Sequence, residues 1–563
     1  MSALVRARRH RYSKATLRLL ACAWGFIIFP NVSARAEAPP GSVYVPLDNW
    51  AYAAFDRLAA LGATNQQFAG LRPWTRVQSA QLVLEAGKRL TRSEGNIPEA
   101  MELYNALREE FREEINVLTG DSEGQVGVES FYSRALGISG TPLRNSFDFG
   151  QTISNDFGRP YYTGFNNVSG FSGQMVQGRF HAFARGEYQY SPFYPGLTPA
   201  QMVYIELSDG TTTTANSQAT GTISRFNLLD TYVGMRLGVF DLVLGKQSLW
   251  WGPGTMGGML YSDNINPVLM FKVNQVQPLV LPSVLKYLGL VRVQAFFGRL
   301  AGYHDPRAPY IHGEKIMVKP SPNLDVGFSR TTMAFGQGIP FTLTNLRSTY
   351  FSTTDIGGNP NPQDFPGKRF GGLDFSYRLP DLRRWVTVYA DNFTADDVNP
   401  LVNPSRAFYN PGIFVSQVPH LQKLDFRFEV ANTRTRGIPY TSFFYRDGYT
   451  NNGFLMGNTV GRRADAFDVS STYWFSPRKR VEVGWREQRT EKAILPGGGS
   501  QDSVRAQADW FIQEQTEFSV FLQHERWAFP FLALSAQSNN VFSLQVTLYP
   551  KKLWSRTALR NSD

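Results

Sequence analysis

From about Arg144 onward, apolar and polar positions alternate with a period of two. Leu424, Phe426, Phe428 and Val430 alternate with Asp425, Arg427 and Glu429, and Val481, Val483 and Trp485 alternate with Glu482 and Arg486. Val504, Ala506, Ala508, Trp510 and Ile512 are interleaved with Arg505, Gln507 and Asp509 in the same way. A soluble sandwich also alternates, but its polar face is the outside. Here segments of ~10 residues end in aromatics and carry charges of both signs on one face, as in a membrane barrel with an apolar exterior and a polar lumen. Strands are expected near Phe149, Gly173, Phe183, Val233, Leu244, Phe271, Ala295, Met317, Phe328, Phe375, Val388, Val415, Phe428, Val469, Val483, Ala508, Val520 and Leu544, eighteen in all. Short links follow Met175, Arg236, Tyr377, Phe475 and Ile512, and long loops rich in Gly, Pro and Asn lie between them. Outer-membrane barrels have short periplasmic turns and long outer loops, which puts both ends of the barrel on the periplasmic side. Arg179, Arg185, Glu187, Asp425, Arg427, Glu429, Glu482, Arg486, Arg505 and Asp509 should line the lumen, because a cation facing lipid at mid-depth costs roughly 2–4 kcal/mol.

Before the strands the period is helical. Asp48 is a candidate N-cap ahead of Trp50, Ala53, Ala54, Leu58 and Leu61, with Gly62 as the stop. Thr75 caps a second helix toward Gly87, and a third runs from Pro98 to about Leu118. The expected organisation is mainly β: a large transmembrane antiparallel barrel of about 18 strands over 143–550, behind a small periplasmic helical domain and linker over 37–142. Residues 551–563 form a basic tail.

The first 36 residues read as an address. Arg6, Arg8, Arg9, Arg11, Lys14 and Arg18 precede the apolar run Leu19–Phe29, and Ala34-Arg35-Ala36 fits a small-x-small cleavage site before Glu37. Leu19-Leu20-Ala21-Cys22 is a weaker alternative, a lipoprotein box, because most of the apolar run follows Cys22. The full chain has 57 basic and 46 acidic residues; removing 36 residues takes away seven basic groups and no acid, leaving 50 against 46, or +4. Nucleic-acid binding thereby loses its main support. The single cysteine, Cys22, goes too, so disulfide and thiol chemistry are excluded.

An enzyme needs a constellation, and there is no His-Glu-x-x-His, Gly-x-Ser-x-Gly, Walker loop or cysteine pair. No metal or cofactor is implied. His304 and His312, eight apart in an expected outer loop, read as loop histidines rather than ligands. Sugar recognition asks for flat aromatic faces beside carboxamides, carboxylates and guanidinium groups. Trp250, Trp251, Tyr261, Asp263, Asn264 and Asn266 supply these in one expected outer loop, and Tyr303 and Arg307 supply more in the next. The bland alternative is that the two tryptophans belong to the interfacial aromatic girdle and that Gly252-Pro253-Gly254 merely shapes a turn.

Several of these stretches together resemble a known family. Pro46-Leu47-Asp48 with Trp50-Ala51-Tyr52, Arg57-Leu58-Ala59-Ala60-Leu61-Gly62 and Gly70-Leu71-Arg72-Pro73-Trp74-Thr75-Arg76 look like the N-terminal unit of the Wzi-type capsule assembly family. Trp250-Trp251-Gly252-Pro253-Gly254, followed by Ser262-Asp263-Asn264 and Pro267, resembles its central motif, and Asp447-Gly448-Tyr449 with Gly457 resembles a later one. The resemblance implies an eighteen-stranded outer-membrane barrel with a periplasmic helical domain, which holds capsular polysaccharide at the cell surface by lectin-like binding. The chain departs from many such barrels at its end, where a basic tail follows Tyr549. Expected partners are capsular or extracellular polysaccharide, outer-membrane lipids and lipopolysaccharide. The turn Gly70–Arg76 also resembles surface-layer-homology modules, which adds peptidoglycan as a candidate partner of the helical domain. The alternative function is a sugar-permeable diffusion porin, with which the long loop between Gly336 and Arg369 is compatible.

Overall fold

The computed structural model describes residues 40–92, 97–120, 124–209, 211–351, 366–382, 385–395, 404–434, 439–493, 495–512 and 515–550. The expected signal segment and the tail after residue 550 lie outside them. Eighteen antiparallel strands close into one barrel. In chain order they are β1 (Gln125–Gly140), β2 (Gly164–Gln177), β3 (Phe180–Ser191), β4 (Ile223–Leu237), β5 (Phe240–Gln247), β6 (Val268–Gln275), β7 (Leu290–Arg299), β8 (Tyr310–Ser321) and β9 (Leu324–Ala334). The second half comprises β10 (Lys368–Arg378), β11 (Val386–Ala395), β12 (Phe408–Val415), β13 (Leu424–Asn432), β14 (Ala464–Ser476), β15 (Lys479–Thr490), β16 (Gly499–Ile512), β17 (Thr516–Ala528) and β18 (Gln537–Leu548). Closure is direct: β1 pairs with β18 from Phe131↔Leu548 to Gly140↔Asn539. No described helix is long and apolar enough to cross a membrane; this chain crosses by strands.

The alternation is realised as expected. Outward positions are large and apolar, among them Val233, Leu244, Phe328, Val504, Leu522 and Phe542, each between 46% and 59% exposed. Inward positions are polar and paired: Arg505 bridges to Asp468 at 2.8 Å and Arg480 to Asp509 at 2.9 Å. Of the expected lumen residues, Arg179 is the exception, because it sits exposed on the tight turn between β2 and β3. Leu522 lies at the middle of β17, beside Phe542 and Ala506. Replacing it with arginine should therefore lower stability by about 2–4 kcal/mol, the mid-depth cost of a cation in lipid. A denaturant midpoint measured in lipid vesicles checks this, and an unchanged midpoint would place Leu522 off the lipid.

The first strand departs from expectation. It is not centred near Phe149 and does not begin after residue 142, but runs from Gln125 to Gly140. In its long-loop half Tyr132, Leu136 and Ile138 point inward and are buried, while Ser133, Ala135 and Ser139 are exposed; large apolar groups face out only nearer the short-turn end, at Val126 (54%) and Phe131 (49%). The hydrophobic pattern that marks the other strands is thus missing from the long-loop half of its outer face. Phe147 and Phe149 belong to a buried loop instead.

Among the described residues four helices precede the barrel: α1 (Ala51–Ala60), α2 (Arg76–Leu90), α3 (Pro98–Glu110) and α4 (Arg112–Thr119). The third expected helix is broken at Phe111, whose backbone leaves the helical region. Thr75 caps α2 reciprocally with Gln78, each side chain meeting the other's backbone N–H. Asp48 is not the cap of α1, because its carboxylate accepts two hydrogen bonds from the Arg185 guanidinium inside the barrel, at 3.0 and 2.8 Å. Burial pushes the Asp48 carboxyl up, but Arg185 outweighs that and holds it below the usual range. The helical unit seats in the short-turn end of the barrel. Gln78 donates to the Val276 carbonyl at 2.6 Å, Gly41 N donates to Gly178 O at 2.8 Å, and Arg478 lies over the Trp50 ring at 4.8 Å.

Candidate functional site

The loop between β5 and β6 does not stand out from the barrel but turns down into it. Trp250 and Trp251 form a two-residue antiparallel ladder with Arg72 and Leu71 of the helical unit, and Gly252 N donates to Gly70 O at 3.1 Å. The two family-like motifs therefore meet in the lumen. Glycine is required where they turn: Gly252 has φ 143°, and a Cβ on Gly258 would lie 2.2 Å from the Trp251 carbonyl oxygen.

Carboxylates on the barrel wall hold this loop by its backbone. Glu429 accepts from Thr255 N and Met256 N, both at 2.7 Å, and from the Tyr389 hydroxyl at 2.6 Å. Asp391 accepts from Met259 N at 2.6 Å. The long loop between β13 and β14 folds in beside it, with the Tyr440 hydroxyl donating to Met259 O at 2.8 Å. One apolar cluster unites Phe68 and Leu71 of the helical unit with Trp251, Tyr261, Tyr440 and Tyr449. A plug built from both ends thus occupies the lumen.

The structure places most of the expected polysaccharide contacts inside the barrel rather than on the outer loops. Trp250, Trp251, Tyr261, Asp263, Asn264, Asn266 and Tyr303 are all buried, none more than 9% exposed. Several of their polar groups serve the plug, while the Tyr261 hydroxyl and Asp263 Oδ1 find no hydrogen-bond partner among the described residues. Trp251 Nε1 donates to Gln294 at 2.8 Å, Asn264 Nδ2 to Leu455 O at 3.1 Å, and the Tyr303 hydroxyl to Gly448 O at 2.7 Å. The backbone carbonyl of Asn266 accepts from Asn451 Nδ2 at 2.7 Å. Burial, then the neighbouring Asp156 and Asp48, push the Asp263 carboxyl well above its usual range. Only Arg307 is exposed. The girdle alternative fails for the same reason, since neither tryptophan reaches lipid. His304 sits at the long-loop end and pairs with Asp447 at 2.8 Å. His312 is not in a loop but on the wall strand β8, and it is fully buried.

The long-loop face offers a different set of groups. In the loop after β1, the Arg144 guanidinium lies over the Tyr194 ring at 4.3 Å, and Tyr162 packs edge-on to Tyr194 at 4.9 Å. Phe193 beside them is 57% exposed. Helix α5 (Pro199–Asp209) follows, and its Tyr204 meets Phe531 of the last loop at 5.2 Å. Among the described residues no carboxylate forms an ion pair with Arg144. Burial lowers its pKa from the ordinary value, which weighs against its charged form. A cation backed by tyrosine faces at a solvent-facing rim suits a ligand carrying both a C–H face and an anionic group. Sequence reasoning missed this set, because its members lie in separate loops. The nearest signal was the aromatic density of Tyr161–Tyr162 and Phe193–Tyr194.

Comparison with known proteins agrees with this architecture. Over residues 134–541 the chain matches the family model for capsule assembly protein Wzi. The solved structure of the Escherichia coli outer-membrane protein Wzi, described as a carbohydrate-binding β-barrel involved in group 1 capsule assembly, superposes with a TM-score of 0.66. That match has 15% identity and covers 91% of this chain and all of that one. A 55.8 kDa protein from the cps region of Klebsiella pneumoniae is 24% identical over 192 residues, 34% of this chain and 37% of that relative. The stretch shared with it is therefore little more than a third of its length. By the family match and the closed barrel, the chain is an outer-membrane β-barrel that belongs to the capsule assembly protein Wzi family.

Proposed function

We propose that the protein holds extracellular polysaccharide of the capsule at the cell surface, in lectin fashion and without altering it. The observation that carries this reading is the filled lumen: a barrel packed from both ends offers its long-loop face, rather than a conduit, as the working surface. The same observation weighs against the diffusion porin. On that face Arg144 and Tyr194, with Tyr162 and Phe193, are the contacts of choice: tyrosine faces for pyranose C–H surfaces, guanidinium for uronate or other acidic substituents. A single such contact is weak, but a polymer repeats its epitope, so avidity supplies retention. The former candidates keep a role one layer down, where they fix the loops that present the rim. The helical unit would stand in the periplasm. Its Gly70–Arg76 turn, with Leu71 and Trp74 buried and Arg76 paired to Glu114 at 2.7 Å, is taken up by packing, which argues against that turn as a peptidoglycan contact.

Replacing Arg144 and Tyr194 together with alanine should weaken each contact site by about 1–2 kcal/mol and release polymer into the medium. Heat-modifiable gel mobility should stay that of the folded barrel. Cell-associated and shed polymer measured side by side check this. If the doubly substituted barrel retains polymer like its parent, the binding face lies on other loops.

A further inference from the structure

The outer wall of the barrel carries a polar group where lipid is expected. On β8 and β9 the inward positions are settled by Lys315, which reaches Asp374 at 2.6 Å, and by Lys319, paired with Asp325. Tyr310, His312, Glu314 and Ile316 must then face out, as must Phe328, Arg330 and Thr332. Glu314 stands directly opposite Arg330, and His312 opposite Thr332. Arg330 is six residues up from the start of β9, about 15 Å along the axis at ~3.3 Å per residue and a tilt of about 40°, inside an apolar band about 25 Å tall. Two residues below it on the same face, Phe328 is 46% exposed, yet His312 and Thr332 are 0% exposed. Something covers them.

The cover is part of the long loop after β9. Helix α6 (Leu343–Phe351) lies against the outside of the wall. Tyr350 stacks on the His312 ring at 4.3 Å, and His312 meets Thr349 Oγ1 at 3.1 Å through one nitrogen and Glu314 at 2.8 Å through the other. Arg330 donates to the carbonyls of Thr349 and, at 3.2 Å, of Tyr350. These carbonyls lie in the helix's last turn, at its negative end, where a guanidinium is favoured. Ahead of the helix, Phe341 packs on the outward rings of Phe297 at 6.0 Å and Tyr310 at 6.3 Å. On the side away from the wall Leu343 is 82% exposed, Phe351 44% and the outer part of Phe341 57%, with Thr342, Thr344 and Arg347 exposed among them.

We infer that residues 341–351 form a strap embedded in the outer leaflet, with lipid acyl chains as the partner of its free face. Its inner face seals His312, Glu314 and Arg330 from lipid. Its outer face continues the apolar surface of the barrel across strands that would otherwise break it. Arg347, exposed on the helix, can extend its head to the lipid phosphates. Both halves need each other. Without the helix the wall shows a carboxylate and a guanidinium to hydrocarbon; without lipid the helix shows Leu343 and Phe351 to water.

The test uses the full chain in a Cys22→Ser background, spin-labelled at Leu343→Cys and reconstituted in phosphatidylcholine vesicles. Labels at Leu522→Cys, on the lipid-facing wall, and at Phe443→Cys, 86% exposed on a long loop, set the two references. The Leu343→Cys label should collide with a water-soluble nickel chelate at least about threefold less than the Phe443→Cys label, since the bilayer core holds no water. Its oxygen collisions should match those at Leu522→Cys. Chelate access equal to that at Phe443→Cys would overturn the proposal. Adding Arg330→Leu removes the anchor, so the label at 343 should become more mobile while gel mobility reports an intact barrel; unchanged mobility would overturn the anchoring.

Discussion

Replacing Glu429 and Asp391 together with alanine is expected to turn a silent barrel into a conducting one. Glu429 is fully buried on β13 and takes four hydrogen bonds, from Thr255 N, Thr255 Oγ1, Met256 N and the Tyr389 hydroxyl. Asp391 on β11 takes a fifth, from Met259 N. Four of these bonds, from Thr255 N, Thr255 Oγ1, Met256 N and Met259 N, fasten the middle of the inward loop to the wall, while Tyr389 belongs to the wall strand β11 itself. Bonds to a charged acceptor are worth about 1.5–3 kcal/mol each, and removing the acceptor strands buried donors at a further cost. The expected loss is therefore at least about 3–5 kcal/mol, enough to displace a loop that has no ladder of its own beyond Trp250 and Trp251. The barrel wall should survive, because its strands are held by their own backbone pairing. Planar-bilayer recordings should show little steady current for the parent and stable open steps for the double variant. A double variant that stays silent would shift the seal to the helical unit and count against the loop.

The wall was legible in the sequence and the plug was not, for a physical reason. Lipid on one side and water or polar packing on the other force a strict period of two, so even β8 near Met317 and β12 near Val415 could be placed from weak alternation and short turns. β1 escaped because beyond Phe131 its outer face is built of Ser133, Ala135, Gly137 and Ser139, small groups that carry no apolar signal. The inward loop escaped for another cause. Aromatics beside carboxamides serve a sugar platform and a lumen filler equally well, and nothing in Trp250–Pro267 alone says which way a loop turns. What distinguishes the two is the partner: Trp251 answers Leu71, and Glu429 answers Thr255, across 180 and 174 positions of chain. Such pairings are invisible to local pattern. Exposed His304 and buried His312 make the same point, since eight positions of sequence separate a loop tip from a covered wall site.

Arg57→Ala should detach the helical unit from the barrel more completely than any other single change in it. Arg57 projects from α1 into the joint and is fully buried there. Its guanidinium donates to Glu99 at 2.6 Å, to the Ser416 carbonyl at 2.5 Å and to the Gln422 carbonyl at 2.6 Å, and it approaches Asp425 at 3.4 Å. It also lies over the Trp474 ring at 5.4 Å. One side chain thus ties α1 and α3 to the turn between β12 and β13 and to the end of β14. Removing it leaves Asp425 and Glu99 near the joint without their counter-ion and two turn carbonyls without a donor, a cost of about 3–5 kcal/mol for a broken buried pair. Lysine should recover only part of this, because a single ammonium cannot span the same divergent acceptors as the planar fork. Limited proteolysis of the folded barrel is the measurement: Arg57→Ala should expose cleavage sites within residues 41–120 while the strands stay protected, with Arg57→Lys intermediate. Protection equal to the parent's in both variants would mean that the Leu71–Trp251 ladder and the Asp48–Arg185 pair hold the unit without it.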